Sequence, residues 1–190
     1  MTPKLVLASA SPRRVALLAQ LGITAGEVRP ADIDETPRKD EPPRLYALRM
    51  ARGKADAVGR PGEFTLAADT VVCCGRRILD KPATEAAART CLALLSGRRH
   101  RVLTAVVVAA PDGRRAERVS LTVVGFARLS RAQIDAFLAS GEWRGVAGGY
   151  NIQGRIAAHM DFLAGSPSGV VGLPLHETTQ LLRGLGFPLP

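Results

Sequence analysis

Ser9-Ala10-Ser11-Pro12-Arg13-Arg14 gathers two hydroxyls and two guanidiniums in one short turn, directly after the apolar run Leu5-Val6-Leu7-Ala8. The run has the character of a buried strand. Pro12 suits the first turn of a helix, where its missing N–H would have no partner, and Ser11 stands at the N-cap position. Free N–H groups and the positive end of the helix dipole favour an anion there. Arginine adds planar, paired donors that match phosphate. Taken alone, the turn reads equally well as an ordinary capped helix with two solvated arginines.

Other chemically capable residues fall near the ends of elements. Glu35 lies in an acidic, proline-bearing stretch, Lys54 late in a helical pattern, and Asp69-Thr70 after the apolar Phe64-Thr65-Leu66-Ala67-Ala68. Lys81 sits in the turn Asp80-Lys81-Pro82, and Gln153 in Asn151-Ile152-Gln153-Gly154. Cations neutralise phosphate oxygens. Carboxylates hold Mg2+ through hard oxygens or take a proton from an attacking water. Asp69 and the Ser9–Arg14 turn are expected at strand C-terminal ends, where open α/β sheets bind ligands. Each residue also has a plain structural use: Asp69 as a turn cap, Lys81 and Glu35 as solvated charges, Gln153 as a partner of its own loop.

The elements that must position these groups follow from periodicity. Helices are predicted over 12–21, 43–58 and 83–95, from Ser130 to about Ala139, and from Pro174 to about Leu185. Phe64 to Cys74 reads as one strand carrying Asp69, and a short strand ends at Asp80. His100 to Ala110 and Arg118 to Leu129 flank the turn Pro111-Asp112-Gly113 and read as a hairpin. A strand is expected over 155–163 and a loop over Gly165 to Gly169. Helices and strands alternate at first, with an antiparallel pair in the middle, which predicts an α/β fold: a mixed central sheet with flanking helices. No linker or repeat interrupts the pattern, so residues 1–190 are taken as one domain.

The chain carries 26 Lys and Arg against 17 Asp and Glu, a net charge of +9. The arginines are scattered, and aromatic residues at 4% offer few stacking platforms, so nucleic acid is not the expected partner. No run approaches the ~18 apolar residues of a membrane span. The opening residues do not read as a signal peptide, and the three cysteines form neither a disulfide framework nor a zinc spacing. A cytoplasmic location is the expectation. His100, His159 and His176 share no metal-ligand spacing, and no Walker-type loop occurs.

Several segments, in order, carry a resemblance. They are Leu7 to Arg14, Asp34-Glu35-Thr36-Pro37, Arg49 to Ala55, Ala68-Asp69-Thr70-Val71-Val72, and Asp80-Lys81-Pro82. Leu95-Ser96-Gly97 with His100 and Thr104, Gly141-Glu142-Trp143, Ala147 to Gly154 and Val170 to Leu175 follow. Together they resemble the Maf family of nucleoside triphosphate pyrophosphatases across nearly the whole chain. The resemblance implies a fold like that of the inosine triphosphate pyrophosphatases, with two lobes around a cleft, and homodimers. It also implies hydrolysis of a nucleoside triphosphate to the monophosphate and pyrophosphate with a divalent metal, Mg2+ or Mn2+. Its motif roles fall on Ser9, Arg13, Arg14, Glu35, Lys54, Asp69, Lys81 and Gln153. Asp69 is the implied proton acceptor, Asp69 and Glu35 the metal side, and the cations the holders of the triphosphate.

Arg13, Thr70 and Gln153 match the pattern of the dTTP/UTP type, where the 7-methyl-GTP type carries Trp, Gln and Glu. A Gln amide is donor and acceptor at once, which suits a pyrimidine's imide edge. Gly53, Pro167 and Gly169 depart from the family pattern without removing an implied catalytic residue. Two other readings stay open at this point. One is a 7-methyl-GTP pyrophosphatase. The other is a non-enzymatic regulator of septum formation that binds nucleotide or nucleic acid through the basic surface.

Overall fold

A computed structural model describes residues 3–190. Its centre is β3 (Phe64–Cys74), buried along nearly its whole length. Such a strand must be covered on both faces, which its apolar composition allows. β5 (Arg99–Ala109) and β6 (Arg115–Phe126) continue the sheet antiparallel, joined by the expected hairpin. β1 (Leu5–Leu7) pairs parallel with β3 and with β2 (Glu27–Val28). β4 (Arg77–Leu79) folds back on β3, and β7 (Met160–Ala164) closes the far edge. The strand order is β2-β1-β3-β5-β6-β7 with β4 on β3, the mixed sheet that the sequence predicts.

Among the described residues six helices flank it: α1 (Pro12–Gln20), α2 (Pro43–Val58), α3 (Glu85–Leu95), α4 (Arg131–Ser140), α5 (Pro167–Val171) and α6 (Leu175–Gly184). Side chains alternate along β3, so its even and odd positions face opposite ways. Leu66 and Ala68 join Leu17, Leu18, Leu181 and Leu182 in the cluster under α1 and α6. Ala67, Val71 and Cys73 face the other way, against Ala47, Met50, Ala51 and Ala55 of α2. Val72 belongs to a third cluster, with Leu92, Ile134, Trp143 and Tyr150, built by α3, α4 and the loop after them.

The register creates the site. β1 covers β3 only at Phe64–Leu66, and β4 covers it only at Val72–Cys74. Between them, residues 67–71 pair with β5 on one side and with no described strand on the other. The sheet therefore has a window at Asp69 and Thr70.

Four expectations need correction. Asp69 does not lie at a strand C-terminal end: β3 runs on to Cys74, as its apolar pattern predicts, and only its neighbour β1 stops. The strand expected over 155–163 is a 3-10 turn at Arg155–His159, and only Met160–Ala164 is extended. The loop expected at Gly165 to Gly169 contains the start of α5. There Ser166 Oγ accepts the Gly169 N–H at 3.0 Å and Pro167 opens the first turn, a cap signature that the neighbouring glycines obscure. Ser11 holds the N-cap position of α1 but makes no side-chain cap bond; its own N–H donates to Ser9 Oγ at 3.2 Å. Among the described residues no helix is long and apolar enough to cross a membrane.

The third cluster holds a titratable group. His100 is 2% exposed, its Nε2 lies 2.5 Å from the Tyr150 hydroxyl, and its ring packs against Phe126. Burial pushes its pKa from 6.5 down to about 4. Between those values the unfolded chain binds a proton that the native state refuses, so stability falls as pH falls through the window. The full shift corresponds to roughly 3 kcal/mol. Urea unfolding of wild type and His100→Gln across pH 7 to 4 should show a shallower acid loss in the variant, by about that amount. Parallel curves would remove His100 as the cause.

Candidate active site

The window opens into a cleft of about 740 Å³. Ser9, Arg13, Arg14, Glu35, Lys54, Asp69, Thr70 and Lys81 all line it, drawn from the β1–α1 turn, the loop before α2, α2 itself, β3 and the turn after β4. Gln153 does not. It is exposed, in a turn where its N–H donates to Asn151 Oδ1 at 3.2 Å.

Asp69 occupies an odd position of β3 and faces α2, where the fourth helical turn presents Lys54. Lys54 Nζ donates to Asp69 Oδ1 at 2.6 Å and lies 2.7 Å from Glu35 Oε1. One buried ammonium thus bridges two carboxylates. Their environments differ sharply. Asp69 is 8% exposed, whereas the Glu35 side chain is 46% exposed. Burial pushes the Asp69 carboxyl above its ordinary range, against the opposing pull of Lys54 and Arg14. Partial burial also acts to raise Glu35. There, however, the Lys54 hydrogen bond and the charges of Lys54, Lys81 and Arg14 outweigh it and hold the carboxyl below its ordinary value.

Glu35 reaches the cleft because its loop is tied to α2. The Tyr46 hydroxyl donates to the Glu35 carbonyl at 2.7 Å, and Arg49 donates to the Thr36 carbonyl at 3.0 Å. Sequence reasoning passed over Tyr46. The signal was present: Tyr46, Met50 and Lys54 recur every four residues, which lines them up along one side of the helix.

Arg14 works on the opposite face of the sheet. Its Nε donates to the Gly172 carbonyl at 2.8 Å, Nη1 to Ser9 Oγ at 3.0 Å and Nη2 to Thr70 Oγ1 at 3.3 Å. Gly172 has φ +134°, and a Cβ there would meet Arg14 Nε at 3.3 Å, so only glycine offers its carbonyl this way. Burial lowers the Arg14 pKa, yet a guanidinium stays charged at any ordinary pH. Arg13 and Lys81 differ: among the described residues neither forms an ion pair, and both line the cleft. The arrangement therefore separates two committed cations from two that are free to meet an anion. A paired carboxylate site beside free cations suits a phosphate ester or anhydride.

Comparison with known proteins agrees with this architecture. A dTTP/UTP pyrophosphatase of Caulobacter vibrioides is 60% identical over 187 residues, covering 97% of each chain. A protein of the same name from Granulibacter bethesdensis is 58% identical over 199 residues, covering 96% of this chain and 93% of its own. The solved structure of a HAM1 protein from Coxiella burnetii superposes with a TM-score of 0.52 over 97% of this chain and all of its own. At 19% identity that likeness speaks for the fold alone. Residues 4–185 match the family described as Maf-like protein, and the chain belongs to that family.

Proposed function

We infer that this protein hydrolyses dTTP and UTP to the nucleoside monophosphate and pyrophosphate. Relatives of that name share more than half of its residues over nearly its full length. The observation that carries the chemistry is the Glu35–Lys54–Asp69 bridge, set in a cleft with the unpaired Arg13 and Lys81. The cleft volume, about 740 Å³, is of the size that encloses a small molecule such as a nucleotide.

In this reading Arg13 and Lys81 neutralise the polyphosphate, and Arg14 holds the cleft wall through Ser9, Thr70 and Gly172. Asp69 accepts the proton of the attacking water. The water oxygen bonds to phosphorus, the anhydride P–O bond breaks, and its electron pair leaves with the departing product. Burial matters here because a carboxylate whose pKa is raised is a stronger base. Lys54 keeps Asp69 and Glu35 together without mutual repulsion. Arg13 and Thr70 shape the wall that selects the base, and Gln153 would have to swing in from its exposed turn to read one.

The residues also fit a divalent cation. Among the described residues no three His, Cys, Asp or Glu side chains gather to hold a metal ion. Mg2+, however, is commonly held by one or two carboxylates together with substrate phosphates. Asp69 and Glu35 each give one oxygen to Lys54, and the other accepts no hydrogen bond from the described residues. Those oxygens would hold Mg2+ or Mn2+, whose charge would offset that of the triphosphate. The cytoplasm, where nucleotide pools are held, is the compartment this reading calls for.

A triphosphate panel tests the reading. Pyrophosphate, not orthophosphate, should be released from dTTP and UTP with added Mg2+ or Mn2+, and chelation should stop it. Faster turnover of 7-methyl-GTP would favour the other subgroup. Asp69→Asn should lower kcat by about 10²–10⁴-fold while far-ultraviolet circular dichroism stays unchanged. Wild-type turnover in that variant would remove Asp69 as proton acceptor.

The cations should separate by role. Arg13→Ala and Lys81→Ala should each raise KM about tenfold or more with little change in Tm, since each removes a charged contact to substrate only. Arg14→Ala should also lower Tm, because three hydrogen bonds between separate elements go with it. Equal Tm values in all three variants would contradict this division.

A further inference from the structure

The floor of the cleft contains a chain of hydroxyls whose direction is fixed by counting protons. Thr104, on β5, is 1% exposed and lies directly across from Thr70 on β3. Its Oγ1 is 2.7 Å from the Gly169 carbonyl and 3.0 Å from Thr70 Oγ1. A carbonyl only accepts, so the single Thr104 proton goes to Gly169. Thr104 must then accept from Thr70, which uses the single Thr70 proton. Arg14 Nη2 donates to Thr70 Oγ1 from the other side. The bonds run one way: Arg14 to Thr70, Thr70 to Thr104, Thr104 to Gly169.

We propose that Thr104 is a positioning residue that makes Thr70 an acceptor-only group in the cleft. With its proton committed and one lone pair taken by Arg14, Thr70 has one lone pair left for the cleft it lines. It can accept from an N–H or O–H of a nucleotide or from water, and it cannot donate to a phosphate oxygen. Thr104 reaches no lining position itself and acts only through Thr70. It also ties Thr70 to Gly169 in α5, whose Val170 and Val171 line the same cleft. The polarity at Thr70 and the seating of α5 are thereby one property. This proposal deepens the nucleotide reading of the cleft and rests on it for its kinetic consequence.

A cycle of Thr70→Val, Thr104→Val and the double variant, with Thr104→Ser, tests it on dTTP. Valine keeps the shape and the strand preference of threonine but has no hydroxyl. Thr104→Val should lower kcat/KM about fivefold to tenfold, the worth of one well-placed hydrogen bond. Thr104→Ser should restore it to within about twofold, and adding Thr104→Val to Thr70→Val should change little, because the two groups act as a unit. Independent, multiplying losses would mean that Thr104 matters for packing alone and would overturn the proposal; so would wild-type kcat/KM in Thr104→Val. A neutron structure of the free protein decides the same point without any substrate. The Thr70 deuteron should lie on the line to Thr104 Oγ1, and a deuteron aimed into the cleft would overturn the assignment. If the relay stands there while dTTP and UTP are not hydrolysed, the failure belongs to the nucleotide reading.

Discussion

Asp69 lies in the middle of an eleven-residue strand at the centre of the sheet and is only 8% exposed. A charge so placed is costly unless a cation meets it, since attraction and desolvation both grow as water is excluded. Lys54 meets it, and the demand propagates outward. Lys54 must come from a helix packed tightly on that face, and α2 packs with Ala47, Ala51 and Ala55, whose small side chains let it approach β3 closely. The ammonium has donors to spare and takes Glu35 as well, which draws in the loop that Tyr46 and Arg49 fasten to the same helix. One buried ion pair thus organises a strand, a helix and a loop.

The opposite face is organised by neutral acceptors. Arg14 meets a hydroxyl, a second hydroxyl and a carbonyl, with no carboxylate among them. Its positive charge is therefore held in place without being cancelled. Since Thr70 and Asp69 are neighbours on β3, the window in the sheet brings this uncancelled charge and the bridged carboxylates into one cleft from opposite faces. A strand paired on both sides along its length would have kept them apart. The short β1 and the late start of β4 are what make a bipolar site from a continuous strand.

Much of this was legible in the sequence. The β1–α1 turn, α2, β3 and the β5–β6 hairpin follow from apolar periodicity and from turn residues whose mechanism is local. What was not legible depends on long-range register. Nothing near Asp69 says that β1 stops at Leu7 opposite Leu66, so its position at a strand end and its position in a window read alike. Thr104 belongs to one of the segments that carry the family resemblance, but that Thr70, 34 residues away, is its partner follows only from the β3–β5 register. The 155–163 segment misled for a different reason. Ile156 is buried in a 3-10 turn, and one apolar anchor followed by Met160-Asp161-Phe162-Leu163 mimics the alternation of a longer strand.

The pKa of Asp69 links the site to the stability of the whole. Because its carboxyl is raised above the unfolded value of 3.8, the native state binds the proton more tightly than the unfolded chain does. Its contribution to stability is therefore present in acid and declines as pH rises through the raised pKa. The base becomes available over that same interval. The form of the protein that can accept a proton is the form in which burying Asp69 costs most, and Lys54 is what keeps the cost bearable. The acid limb of stability belongs instead to groups of opposite sign: His100, buried neutral, and ion-paired carboxylates such as Glu41, which its Arg49 partner lowers to about 2. Those groups lose stability as pH falls while Asp69 gains it, so Asp69 offsets part of their acid loss. The pH at which the fold is safest and the pH at which the base is ready are set by different residues.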